Sequence, residues 1–227
     1  MRILTADSLD ITGFASIRER VFIQDRRYFS HAVPDACWDA FGPLVYLANA
    51  WFLPRGSTGL HHHNQVDIVS ILPRGTMLHQ GSIGEGEVLT AGQAQFQRSG
   101  SQGFSHNEIN PTTEVQPFVQ LWLTPTPQEP PSYGLLDLNT NGITVIEQRK
   151  GFELGMGIWQ QANAWHSKQP SLLFLITGTG SIRSPEGNQH QINRGTLVSS
   201  DSGLTFTGQA GTQFLYATLK THCQHNS

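Results

Sequence analysis

Three consecutive histidines, His61, His62 and His63, lie deep inside the 227-residue chain. The surrounding stretch reads TGLHHHNQVD from Thr58 to Asp67, and its internal position argues against a purification tag. Alternate side chains of a β-strand face the same side, so His61 and His63 could share one face with Asp67. The spacing therefore predicts that the outer two histidines act as a pair and that His62 points away from them.

A second pair with the same spacing, His106 and Glu108, occurs in the stretch GFSHNEIN. Two such pairs on neighbouring strands can converge four side chains inside a β-barrel. Three imidazoles and one carboxylate suit a first-row transition metal such as Fe, Ni, Cu, Mn or Zn and leave coordination positions open. A single interior histidine is more often a packing residue, but the two pairs together favour a metal site formed by His61, His63, His106 and Glu108.

Other side chains could support such a site. Asp67 and His79 are candidates to hydrogen-bond the ligating imidazoles, although either could equally be an ordinary surface or turn residue. An aromatic set could line a pocket for an aryl group, and the alternative is that it forms the core: Trp51, Phe52, Phe96, Phe104 and Trp122. Cys37 has no evident activating neighbour in the sequence, so we expect an inert thiol.

The elements that must position these residues are β-strands. Five apolar runs of six to nine residues, rich in β-branched and aromatic side chains, predict buried strands. They are 45–53, 66–72, 118–123, 171–177 and 213–219. Helical periodicity is weak, and the best candidates for short helices are 16–21 and 132–137. With 23 glycines and 12 prolines punctuating the chain, the pattern predicts an all-β protein.

An internal repeat of glycines predicts two domains. Gly75 and Gly92 are 17 positions apart, as are Gly178 and Gly195, and the two sets are separated by 103 residues. Matching apolar runs flank both sets, which indicates two β-barrels in tandem. The proline-rich stretch 124–134 would link them. We therefore expect an N-terminal domain at 1–130 that holds the metal site and a C-terminal domain at 131–227.

The repeat also predicts that the second domain lacks a complete site. An offset of 103 carries the histidine and acidic positions of the first repeat onto Ala164, His166, Pro170, Gln209 and Gly211. His166 is the single candidate ligand among them, so we expect one metal per chain.

The composition excludes several classes of function. The net charge is −3 and no basic cluster stands out, so nucleic-acid binding is not expected. No apolar run approaches the roughly 20 residues that span a bilayer, and the N-terminus lacks the features of a signal peptide. Two cysteines, Cys37 and Cys223, are too few for a disulfide framework. These features predict a cytoplasmic protein.

Taken with the spacing Gly103, His106 and Asn110, the His-x-His run resembles the two-part signature of the cupins. More narrowly, the chain resembles the pirin family of bicupins over roughly residues 40–134. The matching features are FGP at 41–43, HHHNQVD at 61–67, the glycines from Gly75 to Gly92, HNE at 106–108 and QLWLTP at 120–125. The chain departs from the family pattern at His62, Asn64 and Asp67, where pirins carry proline, arginine and glutamate.

This resemblance implies two tandem cupin barrels of jelly-roll type. It also implies one divalent metal in the first, commonly Fe(II), held by His61, His63, His106 and Glu108. Several pirin-like proteins are similar to quercetin 2,3-dioxygenases, which open a flavonol ring with O2. In such an enzyme Glu108 would be the general base for the substrate hydroxyl. Two alternatives stay open: a metal or redox sensor that binds a protein partner, and a purely structural metal.

Overall fold

The computed structural model describes residues 1–29, 33–126 and 130–220. They form two compact units. The N-terminal unit spans Asp7–Asp137, and the C-terminal unit consists of the described residues of Met1–Ala6 and Leu138–Ser227. Of the predicted features, Cys223 and residues 127–129 of the expected linker lie outside the described residues.

Nearly every element is a β-strand. The chain begins with β1 (Arg2–Thr5) of the C-terminal unit, followed by a short 3-10 helix (Ala6–Ser8). The N-terminal unit then contains β2 (Ile17–Gln24), β3 (Leu44–Phe52), β4 (His61–His63), β5 (Asp67–Ile71), β6 (Thr76–Gly81), β7 (Glu87–Thr90), β8 (Gln93–Arg98), β9 (Phe104–Ile109), β10 (Gln116–Leu123) and β11 (Ser132–Asp137). The C-terminal unit continues with β12 (Gly142–Arg149), β13 (Phe152–Trp159), β14 (Asn163–Ser167), β15 (Ser171–Thr177), β16 (Thr179–Arg183), β17 (Gln189–Asn193), β18 (Thr196–Ser200), β19 (Leu204–Gly208) and β20 (Thr212–Leu219).

In the N-terminal unit the strands form a six-stranded and a four-stranded antiparallel sheet. Their orders are β11-β8-β5-β10-β3-β2 and β4-β9-β6-β7. Apolar side chains from both sheets form the core, with Phe52 and Phe118 of the larger sheet packed against Met77 and Leu89 of the smaller one. The rings of Phe52 and Phe118 stack with centroids 5.0 Å apart. Burying each large apolar side chain contributes roughly 1.5–3 kcal/mol, which holds the two sheets together.

The C-terminal unit repeats this topology. Its sheets have the orders β1-β18-β15-β20-β13-β12 and β14-β19-β16-β17. Trp159, Phe206 and Phe214 pack together in its core, with ring centroids of Trp159 and Phe206 5.5 Å apart. The predicted all-β class and tandem repeat are confirmed, and the strands pair as two sheets in each unit. Within the described part of the chain, no helix is long and apolar enough to cross a membrane.

All five predicted strands are present, with ends that differ by at most two residues. The two predicted helices are wrong, because 16–21 lies largely in β2 and 132–137 is β11. Both are outermost strands of a six-stranded sheet, where β2 pairs with β3 and β11 pairs with β8. Strand β11 is half-buried along most of its length, and β2 has three half-buried residues followed by four buried ones, so neither shows a regular alternation in the sequence.

The units do not divide the chain at the predicted boundary between residues 130 and 131. Strand β11 pairs with β8 and belongs to the N-terminal unit. Strand β1 pairs with β18 over Arg2–Thr5 and belongs to the C-terminal unit, although it is the first strand of the chain. Hydrogen bonding between strands distant in sequence determines this grouping.

Candidate metal centre

The three predicted histidine ligands lie on two paired strands. Strand β4 pairs antiparallel with β9 and places His61 directly opposite His106. Side chains along β9 alternate between buried and half-buried, and Phe104, His106 and Glu108 are the buried ones. His61 and His63 face the same interior, whereas His62 is exposed and contacts the hydroxyl of Ser105 at 3.3 Å. The alternation predicted from the HHH run is confirmed.

The three imidazoles converge through their Nε2 atoms. The Nε2 atom of His61 lies 2.9 Å from Nε2 of His63 and 3.0 Å from Nε2 of His106. Nitrogens that share one metal at about 2.0–2.1 Å are separated by comparable distances. The Nδ1 atom of His61 donates to the carbonyl oxygen of Gly59 at 2.8 Å, a hydrogen bond that orients the ring with its Nε2 atom toward the other two histidines. The donor set therefore fits a transition-metal ion.

The electrostatic environment keeps two of these imidazoles neutral. Burial, assisted by the neighbouring histidines, lowers the pKa of His63 to about 3 and that of His106 to about 2. Neutral imidazole is the form that binds a metal, so no proton has to be displaced near pH 7. The histidine cluster is thus prepared electrostatically for a cation.

Glu108 lies beside this cluster but has other partners. Its Oε1 atom accepts hydrogen bonds from Ser70, Gln95 and Gln97, and its Oε2 atom accepts one from Gln120 at 3.2 Å. Among the described residues, the ligand atoms gathered within 4.8 Å of one another belong to His61, His63 and His106. Burial raises the pKa of Glu108 to about 7, against the hydrogen bonds, which lower it. The structure therefore brings together three of the four predicted ligands, with the carboxylate nearby.

The two predicted supporting residues are buried and play different parts. His79 packs against Tyr133 and His106, with ring centroids at 4.7 and 5.7 Å, and its Nε2 donates to the carbonyl oxygen of Ile83. Asp67 accepts hydrogen bonds from the backbone N–H groups of Ser99 and Thr126. His79 thus packs behind one ligand, whereas Asp67 anchors two loop segments.

A cavity of about 250 Å3 opens beside the histidines. The three imidazoles and Glu108 line it together with Phe14, Ile17, Glu19, Tyr46, Thr58, Gln120 and Trp122. Of the five predicted aromatic residues, Trp122 is in this lining. Phe52 is in the core, Phe104 packs under His63 and Phe96 contacts Arg98.

The sequence did not reveal the part of the lining that comes from β2. Ile17 and Glu19 point into the cavity because they alternate along a strand that the sequence pattern assigned to a helix. The i, i+2 spacing of Ile17 and Glu19, which places both on one face of a strand, was the feature of the sequence that could have identified them. Tyr46 belongs to a predicted strand, but its direction depends on how β3 pairs with its neighbours.

In the C-terminal unit, the pair β14–β19 occupies the place of β4–β9. Its inward side chains include Trp165, Leu204 and Phe206, which belong to or pack on the apolar core. His166 is exposed and contacts the hydroxyl of Thr205 at 3.3 Å, much as His62 contacts Ser105. The offset of 103 fails here, because β19 ends at Gly208 and the projected positions 209 and 211 lie beyond it.

The thiol of Cys37 is buried and donates to the carbonyl oxygen of Val21 at 3.2 Å. Burial raises the pKa of this thiol. A protonated, enclosed thiol is a weak nucleophile, in agreement with the expectation of an inert residue.

The two β-sheets of the N-terminal unit face each other and present a His-x-His pair opposite a third histidine, beside a cavity. This is the arrangement of a cupin-type fold with a candidate metal site. Residues 36–123 match the family model described as Pirin. The matched segment is less than half of the chain and lies in the N-terminal unit.

One similar curated protein is the quercetin 2,3-dioxygenase of Escherichia coli (strain K12). It is 31% identical over 100 residues, which are 44% of this chain and 37% of that protein. The alignment thus spans little more than a third of the relative's length.

Solved structures extend the likeness in fold to both units. The bacterial pirin YhhW from Escherichia coli, in complex with nickel(II), matches with a TM-score of 0.77 at 17% identity, over 96% of this chain and 98% of that one. A quercetin 2,3-dioxygenase from Acinetobacter baumannii matches with a TM-score of 0.69 at 16% identity, over 97% and 86% of the two chains. These similarities establish the fold.

Proposed function

We propose that the N-terminal unit binds one divalent transition metal through His61, His63 and His106, with Glu108 as a fourth ligand or as a base. The observation that carries this proposal is the convergence of the Nε2 atoms of three histidines beside a cavity. The resemblance to pirins favours Fe(II), and YhhW, which shares the fold, was solved in complex with nickel(II), which supports a bound metal. Among the described residues of the C-terminal unit, the corresponding strands carry apolar side chains, so we propose no second metal on those strands.

The activity we propose is that of a quercetin 2,3-dioxygenase, which opens a flavonol-like ring with O2. The name of the Escherichia coli relative supports this reaction. The bound metal would supply a Lewis acid that lowers the pKa of the substrate hydroxyl. The carboxylate of Glu108 lines the cavity and would accept the hydroxyl proton. Phe14, Tyr46 and Trp122 would pack against the aromatic rings and exclude water.

Metal content tests the site. In plasma mass spectrometry we expect about one transition metal per chain for the wild type, from the single three-histidine group in the described residues. The double variant His63→Ala, Glu108→Ala should lose it. His62→Ala is the matched control and should retain the metal, because that imidazole is exposed. Absence of metal in the wild type after anaerobic reconstitution with Fe(II) would contradict the whole proposal.

Oxygen uptake with quercetin tests the reaction and the part played by Glu108. If the carboxylate is the base, Glu108→Gln should keep the metal and lower the rate by roughly 10²–10⁴-fold. If it is a ligand, metal content should fall as well. A metal-loaded wild type that consumes no oxygen with any flavonol would exclude the dioxygenase and leave the metal-sensing or partner-binding alternative.

A further inference from the structure

The cavity contains a second carboxylate, which belongs to Glu19. Strand β2 directs Ile17 and Glu19 into the cavity, and the Tyr46 hydroxyl donates to Oε2 of Glu19 at 2.7 Å. Glu19 and Tyr46 also line a second cavity of about 310 Å3 in the same unit, so this pair forms part of the wall of both cavities. The metal site and its ligands do not account for this pair.

A row of rings connects the histidine cluster with this carboxylate along the cavity wall. The centroid of His63 lies 5.1 Å from that of Trp122, and Trp122 lies 4.8 Å from Tyr46. Tyr46 then holds Glu19 through its hydroxyl. A flat aromatic ligand on this wall would have one end at the histidines and its other end at Glu19.

The carboxylate has capacity for another hydrogen bond. Among the described residues, the Tyr46 hydroxyl is the donor that contacts it, whereas an ionised carboxylate can accept several hydrogen bonds. Burial raises the pKa of Glu19, and the hydrogen bond from Tyr46 offsets only part of this effect. A buried carboxylate with unused acceptor capacity favours the binding of a ligand that brings a hydrogen-bond donor. It weakens the binding of a ligand that lacks one, because the carboxylate then loses water without a replacement.

We infer that Glu19, oriented by Tyr46, is a specificity-determining residue that accepts a hydrogen bond from a hydroxyl on the end of the substrate remote from the metal. The preferred ligand is then a polyhydroxylated aromatic compound, with one oxygen for the metal and a second hydroxyl on the distal ring. This inference rests on the proposed function, because it assumes that the metal binds one end of the ligand.

The test compares two ligands, quercetin and its analogue that lacks the two hydroxyls of the catechol ring. In the proposed orientation this catechol ring is the distal ring, which lies at Glu19. Binding to the Ni(II)-loaded protein without oxygen is followed by quenching of tryptophan fluorescence. We expect the wild type to bind quercetin about tenfold more tightly, the size typical of a hydrogen bond to a charged group. Glu19→Leu should bind both ligands equally, and Glu19→Gln should restore part of the preference through its carbonyl oxygen.

Glu153→Leu is the matched control. The Glu153 carboxylate also accepts a hydrogen bond from a tyrosine, Tyr216 at 3.0 Å, but belongs to the C-terminal unit. This variant should retain the wild-type preference. Circular dichroism and metal content should match the wild type in every variant, which separates a local effect from misfolding.

The possible failures are distinguishable. Equal affinity of the wild type for both ligands, or a preference that persists in Glu19→Leu, would overturn the role of Glu19 and leave the dioxygenase proposal intact. If the metal-loaded wild type binds neither ligand, the proposed function fails and the inference fails with it.

Discussion

At the scale of single residues, the chemistry of this protein depends on which side chains are buried without charge. His63 and His106 are held neutral by burial and by neighbouring histidines, the condition for binding a metal. Glu108 has a different environment, since glutamine side chains and a serine hydroxyl surround its carboxylate. The residue next to the pair, His62, is exposed and takes no part.

Glu19 offers a prediction about stability at this scale. Burial raises its pKa above the ordinary value of 4.5, so the unfolded chain releases this proton at a lower pH than the folded one. The stability of the wild type therefore falls as the pH rises from about 4.5 through the folded pKa. The Glu19→Gln side chain does not ionise, so this pH-dependent loss of stability is absent. The variant should be more stable than the wild type at pH 7.5, with a smaller difference at pH 4, where Glu19 is protonated in the folded protein.

Urea unfolding at the two pH values, followed by tryptophan fluorescence, measures the difference. A variant that is less stable than the wild type at pH 7.5 would show that the Tyr46 hydrogen bond, and not desolvation, dominates at Glu19.

At the scale of elements, the register of two strand pairs positions the site. Strand β4 places His61 opposite His106, and β6 places Gly81 opposite the same histidine from the other side. His106 is thus held between two neighbouring backbones. A side chain added at Gly81 would meet the Ser105 carbonyl oxygen and come within 2.9 Å of the Cα atom of His106. The close approach of β6 to β9 requires glycine at this position.

We therefore predict that Gly81→Ala separates β6 from β9 and displaces His106. The expected cost is about 1–3 kcal/mol in the free energy of unfolding, as for other overpacked sites, together with weaker metal retention. Chemical denaturation and competition with a chelator measure the two effects. Gly134→Ala is the control, because a Cβ atom there meets nothing within 4 Å. Equal stability and metal retention in both variants would contradict the prediction.

At the scale of the whole molecule, two units of the same topology differ in what their smaller sheets present. The N-terminal unit presents histidines at the β4–β9 pair, and the C-terminal unit presents aromatic and aliphatic side chains at β14–β19. Each six-stranded sheet also ends in a strand from an unexpected part of the chain. Strand β1 completes the C-terminal unit, and β11 completes the N-terminal one.

Removal of residues 1–5 should accordingly destabilise the C-terminal unit. The deletion exposes the edge of β18 and removes Leu4, whose burial contributes roughly 1.5–3 kcal/mol. Hydrogen exchange should become faster in β18 and stay unchanged in β9, and metal content should remain that of the full chain. Faster exchange in β9 or loss of metal would show that β1 also supports the N-terminal unit.

Much of the fold was predictable from local pattern. Apolar runs bounded by glycine and proline are enough to identify buried strands, and equal glycine spacing identifies the repeat, because both depend on neighbours in sequence. The outermost strands β2 and β11 were missed, since neither alternates regularly between buried and exposed residues. The residues that β2 contributes to the cavity were missed with it.

The sequence by itself determined the class of fold, the repeat and the pairing of His61 with His63, because side-chain alternation follows from the backbone of any strand. The tertiary structure alone decided that His106 lies opposite His61, that Glu108 lies in a cradle of glutamines, and that Glu19 and Tyr46 meet at the cavity. It also decided that β1 belongs to the C-terminal unit. These contacts join distant parts of the chain, and they depend on strand register and loop length. Neither of these can be read from a short stretch of residues.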